Sequence, residues 1–148
     1  MKYKNMKAFM QALSKMEANV RQRGLKNAVE SGARLVEGFA KVNIINTFKA
    51  QTGNLANSIR VEVDAGADKA TARIGPTAIY GRIQELGGTV RPLNAKELHW
   101  VDEGGAHHTA KSVTLPARPY LAPAVEDNED TILAAMGESL RMDIEGAV

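Results

Sequence analysis

An apolar residue recurs every three or four positions between residues 25 and 48. This spacing places one side of the segment in an apolar stripe and predicts a long α-helix over residues 26–49, the longest element in the sequence. Gly32 and Gly38 lie inside it, and each lowers helix propensity by about 1 kcal/mol relative to Ala, so we expect them to permit close packing against a sheet or a neighbour. The stripe is Leu25, Val29, Ala33, Val36, Ala40, Ile44 and Phe48.

A second amphipathic helix is predicted ahead of this one. Its apolar positions also follow steps of three and four. Gly24 comes directly after Arg-Gln-Arg and predicts a break or kink between the two helices. The N-terminal residues lack a continuous apolar stretch, so we expect no signal peptide, and no apolar run reaches the roughly 20 residues of a membrane span. The apolar positions of this first helix are Met6, Phe9, Met10, Leu13, Met16 and Val20.

The middle of the chain reads as β-structure interrupted by a short helix. Residues 59–64 alternate apolar and charged side chains, and after an Ala-Gly-Ala-Asp turn Ala70, Ala72 and Ile74 share one face of a second segment, which predicts a hairpin. A helix is predicted from Ile79 to Leu86, with Gly87 ending it. Further strands are predicted in Thr-Val-Arg-Pro-Leu, Glu-Leu-His-Trp-Val and Lys-Ser-Val-Thr-Leu, with residues 102–110 as a polar loop.

The last helix follows a segment that contains three prolines. Pro123 suits the first turn of this helix, and acidic residues occupy its N-terminal half, where the helix dipole favours them. Ile132, Met136 and Leu140 form a narrow apolar stripe. The order of elements predicts an α+β fold: an antiparallel sheet of about four to five strands packed against a long N-terminal helix, with a short mid-chain helix and a C-terminal helix. A length of 148 residues fits a single domain.

Charge is distributed unevenly along the chain. Residues 1–52 hold ten Lys and Arg against three Asp and Glu, whereas residues 121–148 hold one against seven. The two regions are either solvated helix faces, or the basic helix of one subunit contacts the acidic helix of the next. In a ring, such a contact between different surfaces closes the assembly.

No motif in the sequence points to an enzyme or a cofactor. The serines lack a nucleophile elbow, and there is neither a phosphate-binding loop nor a dinucleotide fingerprint. His99 and the His107–His108 pair, with Asp102 or Glu103 nearby, raise the possibility of a metal site. Adjacent strand residues face opposite sides, however, so His107 and His108 are expected not to converge. Cysteine is absent, which excludes disulfides and thiolate ligands.

Three short motifs occur in a fixed order. Thr-Gly-Asn-Leu-Ala-Asn-Ser-Ile follows the long helix at residues 52–59. Tyr80 precedes Glu85-Leu86-Gly87, and Pro-Ala-Arg-Pro-Tyr-Leu spans residues 116–121. In this order the motifs resemble bacteriophage tail-completion and head–tail joining proteins. These include the minor tail-component family of long-tailed phages and the virion-morphogenesis proteins of Mu-like phages. The resemblance covers about residues 25–140, which makes residues 1–24 a helical arm and residues 25–143 the family core.

The resemblance implies a structural virion protein without catalysis. Relatives of this kind complete the tail and allow it to join the DNA-filled head, usually as a ring and often as a hexamer. The implied partners are other neck and tail proteins, namely a connector or adaptor, a tail terminator or the tail tube. Non-specific contact with phage DNA is also implied, with no membrane and no small-molecule substrate. The expected location is the head–tail junction of the virion, after assembly in the host cytoplasm.

An alternative function comes from the basic N-terminal stretch, which would suit a small nucleic-acid-binding module. The low aromatic content and the acidic C-terminal region disfavour it. The basic residues are Lys2, Lys4, Lys7, Lys15, Arg21, Arg23 and Lys26.

The stiff segment before the last helix is the main candidate for a contact with another subunit. Prolines reduce the entropy lost on docking, and Arg and Tyr are enriched at interface centres. The segment alternatively acts as an internal strap, with Tyr120 and Leu121 in the core. We expect the polar loop to be mobile in the free subunit and ordered against a neighbour. The candidate interface residues are Tyr80, Glu85, Asp102, His107, His108, Pro116, Arg118, Pro119 and Tyr120.

Overall fold

The computed structural model describes residues 7, 10–11, 14–15, 17–48, 53–102 and 104–146. The chain divides into two compact units, one formed by residues 1–78 with 120–148 and the other by residues 79–119. Most apolar positions of the predicted first helix lie outside the described residues. The single domain with an arm over residues 1–24 therefore stays a prediction.

The elements confirm the α+β class, with a long N-terminal helix, a short middle helix and a C-terminal helix. The first unit contains α1 (Ala18–Thr47), α2 (Asn54–Ser58), β1 (Ile59–Ala65), β2 (Ala70–Pro76), α4 (Ala122–Glu126) and α5 (Glu129–Glu145). The second unit contains α3 (Gly81–Leu86), β3 (Gly88–Val90), β4 (Leu98–Val101), β5 (His107–Ala110) and β6 (Val113–Leu115).

Helix α1 runs without interruption through Gly24, so the predicted break at this residue is wrong. Gly24 is buried inside the helix, and Leu25 and Ala28 next to it are buried against Leu140 of α5. Tertiary packing contributes most of the stability of helices in proteins. Here it outweighs the cost of about 1 kcal/mol that a glycine imposes on a helix interior.

Helices α1 and α5 pack antiparallel. Asn27, near the start of α1, donates two side-chain hydrogen bonds to Asp143 near the end of α5, at 3.0 and 3.2 Å. Further along α1, the Cα of Gly32 faces Met136 so closely that a Cβ there would lie 2.8 Å from the Met136 Cγ. The predicted stripe of Ile132, Met136 and Leu140 therefore faces α1, as expected from its spacing.

The main core joins α1 to the hairpin, α2 and α4. It consists of buried residues from four elements and from the segment before α4, and Tyr120 and Ile59 are its largest fully buried side chains. Leu140 is also fully buried but belongs to the separate cluster with Leu25 and Ala28. The buried members of the main core are Val36, Ala40, Ile44, Leu55, Ala56, Ile59, Tyr120 and Ala124.

The β1–β2 hairpin has the predicted alternation. Ile59 pairs with Pro76 and Ala65 with Ala70 in an antiparallel ladder, and the charged residues between the apolar ones are exposed. The turn is closed by a 2.7 Å hydrogen bond from the Gly66 amide to the Lys69 carbonyl.

In the second unit, the strands pair as β3 with β6 and β4 with β5, both antiparallel. Together with β1–β2 this gives three two-stranded ladders in the described residues, where the sequence predicted one sheet of four to five strands. The strands of the second unit are only three or four residues long. Pro92 and Pro116 flank two of them and lack the amide hydrogen that a longer ladder would need.

Two boundaries differ from the prediction. His107–Ala110 forms β5, so the predicted polar loop is limited to the residues before it. Pro123 lies in the first turn of the short helix α4, and α5 begins separately at Glu129 after a turn at Asp127 and Asn128. Glu129 and Asp130 occupy the first turn of α5, where the helix dipole favours acidic side chains.

Candidate partner-binding surface

The first motif builds the core of the first unit. Gly53 has φ +73°, a left-handed conformation that favours glycine, and its carbonyl accepts a 2.9 Å hydrogen bond from the Asn57 amide. Leu55 and Ile59 are buried, and the Ser58 carbonyl accepts hydrogen bonds from the Thr77 amide and hydroxyl. The motif therefore fixes the start of the hairpin. Its Thr52 lies outside the described residues.

The second and third motifs meet in the second unit. Gly87 ends α3 with φ +69°, and a Cβ built on it would lie 2.7 Å from the Ala117 nitrogen and 3.0 Å from the Leu115 oxygen. The amide of Arg118 donates a 2.8 Å hydrogen bond to the carbonyl of Gln84 in α3. The Pro-Ala-Arg-Pro segment is thus held against the C-terminal end of α3 by its backbone, which leaves its side chains free to face outward.

The side chains around this junction form an exposed surface. Ile79 is 99 % exposed, Leu86 is 64 % exposed and Tyr80 is 45 % exposed. The side chains of Arg82 and Arg118 are exposed in the same segments. Large apolar side chains and arginines of this kind are typical of protein–protein contacts.

The other candidates of these two motifs fall into two groups. Pro116 and Pro119 are exposed, on either side of the backbone that contacts α3. Glu85 is half-buried and has an interaction partner within the chain.

Tyr120 lies in the core of the chain itself. It is fully buried, its ring lies 6.4 Å from the ring of Phe48 in an edge-on arrangement, and its carbonyl accepts a 3.1 Å hydrogen bond from the Asn43 side chain. Leu121 packs against the same core. We therefore leave Tyr120 out of the contact surface and keep Arg118, two residues earlier.

Asp102 organises the tip of the β4–β5 hairpin. One carboxylate oxygen, Oδ1, accepts 2.9 Å hydrogen bonds from the amides of Gly104 and Ala106, and the other, Oδ2, lies 2.7 Å from the Nε2 of His108. The hydrogen bond from His108 first, and then those from the backbone, hold the pKa of Asp102 below its usual range. His108 also stacks on Trp100, with ring centroids 5.3 Å apart.

His107 is one residue from His108 and pairs with Val101, whereas His108 pairs with Trp100. The two histidines therefore point to opposite faces of the ladder. Among the described residues, no three His, Asp or Glu side chains are grouped as a metal ion would need. Glu103 lies outside these residues.

Part of the basic N-terminal charge is engaged inside the first unit. Arg21 forms a 2.8 Å ion pair with Asp68, and Arg23 lies 3.8 Å from Asp143 of α5. Lys2 and Lys4 lie outside the described residues. The intramolecular pairs reduce the charge that α1 offers to DNA or to an acidic helix of another subunit.

An open cleft of about 420 Å³ lies between the start of α1 and the end of β1. Amide and basic side chains line it together with Asp64, whose carboxylate forms a 2.9 Å ion pair with Arg73.

Sequence reasoning overlooked part of this surface. It placed Ile79 and Leu86 at helical spacing but named neither of them, nor Arg82, as a candidate interface residue, although all three side chains are exposed.

Comparison with known protein families identified a match over most of the described core. The family model described as the phage virion morphogenesis family matches residues 39–141. The match begins within α1 and ends within α5, so it includes all three motifs. Comparison with curated proteins and with solved structures gave no significant match. Among the described residues, no helix combines the length and apolar character that crossing a bilayer requires.

Proposed function

Because this chain belongs to the phage virion morphogenesis family, we propose that it is a structural protein of the head–tail junction. In this role it completes the tail and allows the tail to join the DNA-filled head. The proposal gives the protein no catalytic step and no cofactor. It acts by contact with its neighbours in the virion.

The observation that supports the proposal is where the fold places the residues of the three motifs. Leu55 and Ile59 of the first motif and Tyr120 near the end of the third motif are buried in the core. The remaining motif residues join α3 to the Pro116–Pro119 segment by their backbones and leave Tyr80 and Arg118 exposed. A rigid scaffold that presents apolar and arginine side chains suits an assembly protein.

The proposed assembly is a ring of identical subunits, with a hexamer as the expected form. A ring needs two different surfaces on each subunit, one of which contacts the other on the next copy. Its two faces would contact other neck and tail proteins, such as a connector or adaptor, a tail terminator or the tail tube. Basic side chains on the inner wall would contact passing DNA without reading its sequence.

Electron microscopy of a phage that lacks this gene tests the proposal. We expect lysates to contain separate DNA-filled heads and tails, and expect joined, infectious particles after the protein is supplied from a plasmid. Tyr120→Ala serves as the unstable control, and wild-type protein as the positive control. Intact infectious particles without the gene would overturn the proposal. Sequence-selective DNA binding at nanomolar concentration by the purified protein would instead favour a nucleic-acid-binding module.

A further inference from the structure

We infer that the exposed surface around α3 docks on the acidic α4–α5 corner of a second copy of this chain. We call the first surface the α3 patch, and it consists of Ile79, Tyr80, Arg82, Leu86 and Arg118. We call the second surface the acidic corner, and it consists of Val125, Glu126, Asp127, Glu129, Asp130 and Leu133. The inference deepens the proposed function and rests on it in one respect, namely that copies of the chain assemble with each other.

The α3 patch has the composition of a contact centre. Its three apolar members are exposed large side chains, and two arginines lie in the same segments. Arg118 is held beside α3 because its amide bonds to Gln84 and because Gly87 contacts Ala117. Arginine and tyrosine with apolar neighbours are the residue types that dominate the energy of protein–protein contacts.

The acidic corner has the complementary composition. Val125 is 46 % exposed and Leu133 is 43 % exposed, so the corner has apolar contact area of its own. Glu129 lies one helical turn before Leu133, and Asp130 lies three residues before it, so acidic side chains flank the apolar one on the same side of α5. Glu126 and Asp127 lie between Val125 and the start of α5.

The charges on both surfaces remain available for a partner. In the part of the chain that the structure describes, neither Arg82 nor Arg118 forms a side-chain ion pair, and the same holds for the four acidic residues of the corner. By contrast, Arg21 and Arg23 of α1 are already paired within their own chain. Charge complementarity therefore favours the α3 patch, rather than the basic helix, as the surface that meets the acidic corner.

A second copy is the occupant that these observations favour. Each subunit carries both halves of the contact, apolar with two arginines on one side and apolar with four carboxylates on the other. A single chain type thus provides a complete set of matching surfaces. Apolar burial would hold the contact, while the charges would set its orientation and exclude wrong pairings.

A charge exchange between two variants tests the inference directly. Variant A carries Arg82→Glu and Arg118→Glu. Variant B carries Glu126→Lys, Asp127→Lys and Glu129→Lys, and keeps Asp130 in the first turn of α5 for the helix dipole. Each variant alone brings like charges together at every contact. In a mixture, every contact between A and B pairs opposite charges.

The assay is complementation of the phage that lacks the gene. We expect A alone and B alone each to lower plating at least about 100-fold, because juxtaposed like charges oppose association. Co-production of A and B is expected to restore plating to within about tenfold of wild type. Lys96→Glu with Lys111→Glu is the matched control, since both lysines are exposed in the second unit and the charge change equals that of A.

Two results would overturn the inference: normal plating by A or B alone, or a loss that co-production does not repair although circular dichroism shows both variants folded. Either result leaves the proposed function in place as long as deletion of the gene still separates heads from tails. Infectious particles without the gene would instead remove the proposed function itself.

Cross-linking gives a second measurement that does not depend on charge. The sequence contains no cysteine, so Leu86→Cys combined with Leu133→Cys places one thiol on each surface. A short bismaleimide added to purified tails is expected to produce dimers and larger products on a denaturing gel. Leu93→Cys with Leu133→Cys is the control, since Leu93 is exposed but lies outside the patch. Equal cross-linking by both pairs would contradict the inference.

Discussion

Gly87 and Ala117 are in backbone contact: a Cβ on Gly87 would lie 2.7 Å from the amide nitrogen of Ala117. Gly87 also has φ +69° and ψ 179°, a region that is essentially restricted to glycine. The second and third motifs therefore meet at a point where a side chain has neither the space nor the backbone conformation it needs. This contact holds Arg118 beside α3.

Gly87→Ala is expected to destabilise the second unit by about 1–3 kcal/mol, because the new Cβ forces the backbone of residues 115–117 away. Fluorescence of Trp100, the single tryptophan in the sequence, during urea unfolding measures the loss. Gly38→Ala is the control. Its Cβ meets nothing within 4 Å in α1, so helix propensity should stabilise the protein by up to about 1 kcal/mol. Equal effects of the two substitutions would contradict the structure.

Tyr120 and Tyr80 belong to two different motifs, and truncation should affect stability strongly at Tyr120 and hardly at all at Tyr80. Tyr120→Ala removes a fully buried ring and is expected to lower the free energy of unfolding by about 3–5 kcal/mol. Tyr80→Ala is expected to change it by no more than about 0.5 kcal/mol, since this side chain is exposed. Urea unfolding followed by circular dichroism measures both. If Tyr80→Ala impairs plating while remaining stable, Tyr80 acts in assembly.

Periodicity predicted the elements in which one face is buried. The alternation from Ile59 to Val63 and the stripe of Ile132, Met136 and Leu140 both matched the observed burial. These patterns arise because side-chain direction follows directly from helix or strand geometry. Helix propensity alone gave the wrong result at Gly24, where it predicted a break. The helix continues through this residue because its neighbours pack against α5.

The pairing of the short strands and the residues of the exposed surface could be identified only from the three-dimensional structure. His107–Ala110 is polar and reads as a loop, yet it forms a strand because β4 offers a partner and Asp102 closes the turn between them. Likewise, the composition of the third motif marked both Arg118 and Tyr120 as interface residues. Only the fold reveals that one side chain is exposed and the other buried.

The β4–β5 hairpin is expected to lose order in acid. Because the folded protein holds the pKa of Asp102 below its usual value of about 4, the ionised carboxylate stabilises the turn above that value. This contribution is lost as the pH falls through the lowered pKa. The protection of the Gly104 and Ala106 amides, measured as the exchange rate relative to the intrinsic rate at the same pH, should therefore fall in strongly acidic solution.

Substitutions at Asp102 separate the charge from the turn geometry. Asp102→Asn keeps a side-chain oxygen that can accept hydrogen bonds from Gly104 and Ala106, and should remove the acid dependence while preserving much of the turn. Asp102→Ala should increase amide exchange at every pH. An acid transition that persists unchanged in Asp102→Asn would assign it to another group.

The close approach of Gly32 to Met136 predicts energetic coupling between α1 and α5. A Cβ on Gly32 would lie 2.8 Å from the Met136 Cγ and 3.2 Å from the Ile132 Cγ2. Gly32→Ala gains about 1 kcal/mol of helix propensity but inserts a methyl group into a filled space, a change that typically costs about 1–3 kcal/mol. We therefore expect a net loss of stability in the wild-type background.

The same substitution should change sign once space is provided. In a Met136→Ala background the clash with the thioether side chain is absent, so Gly32→Ala should stabilise the protein, mainly through helix propensity. A double-mutant cycle from urea unfolding is expected to give a coupling free energy of about 1–3 kcal/mol. Gly38→Ala in the same Met136→Ala background is the control, and its effect should be additive because its Cβ meets no neighbour. Additivity for Gly32 as well would mean that α1 and α5 are further apart than the structure places them.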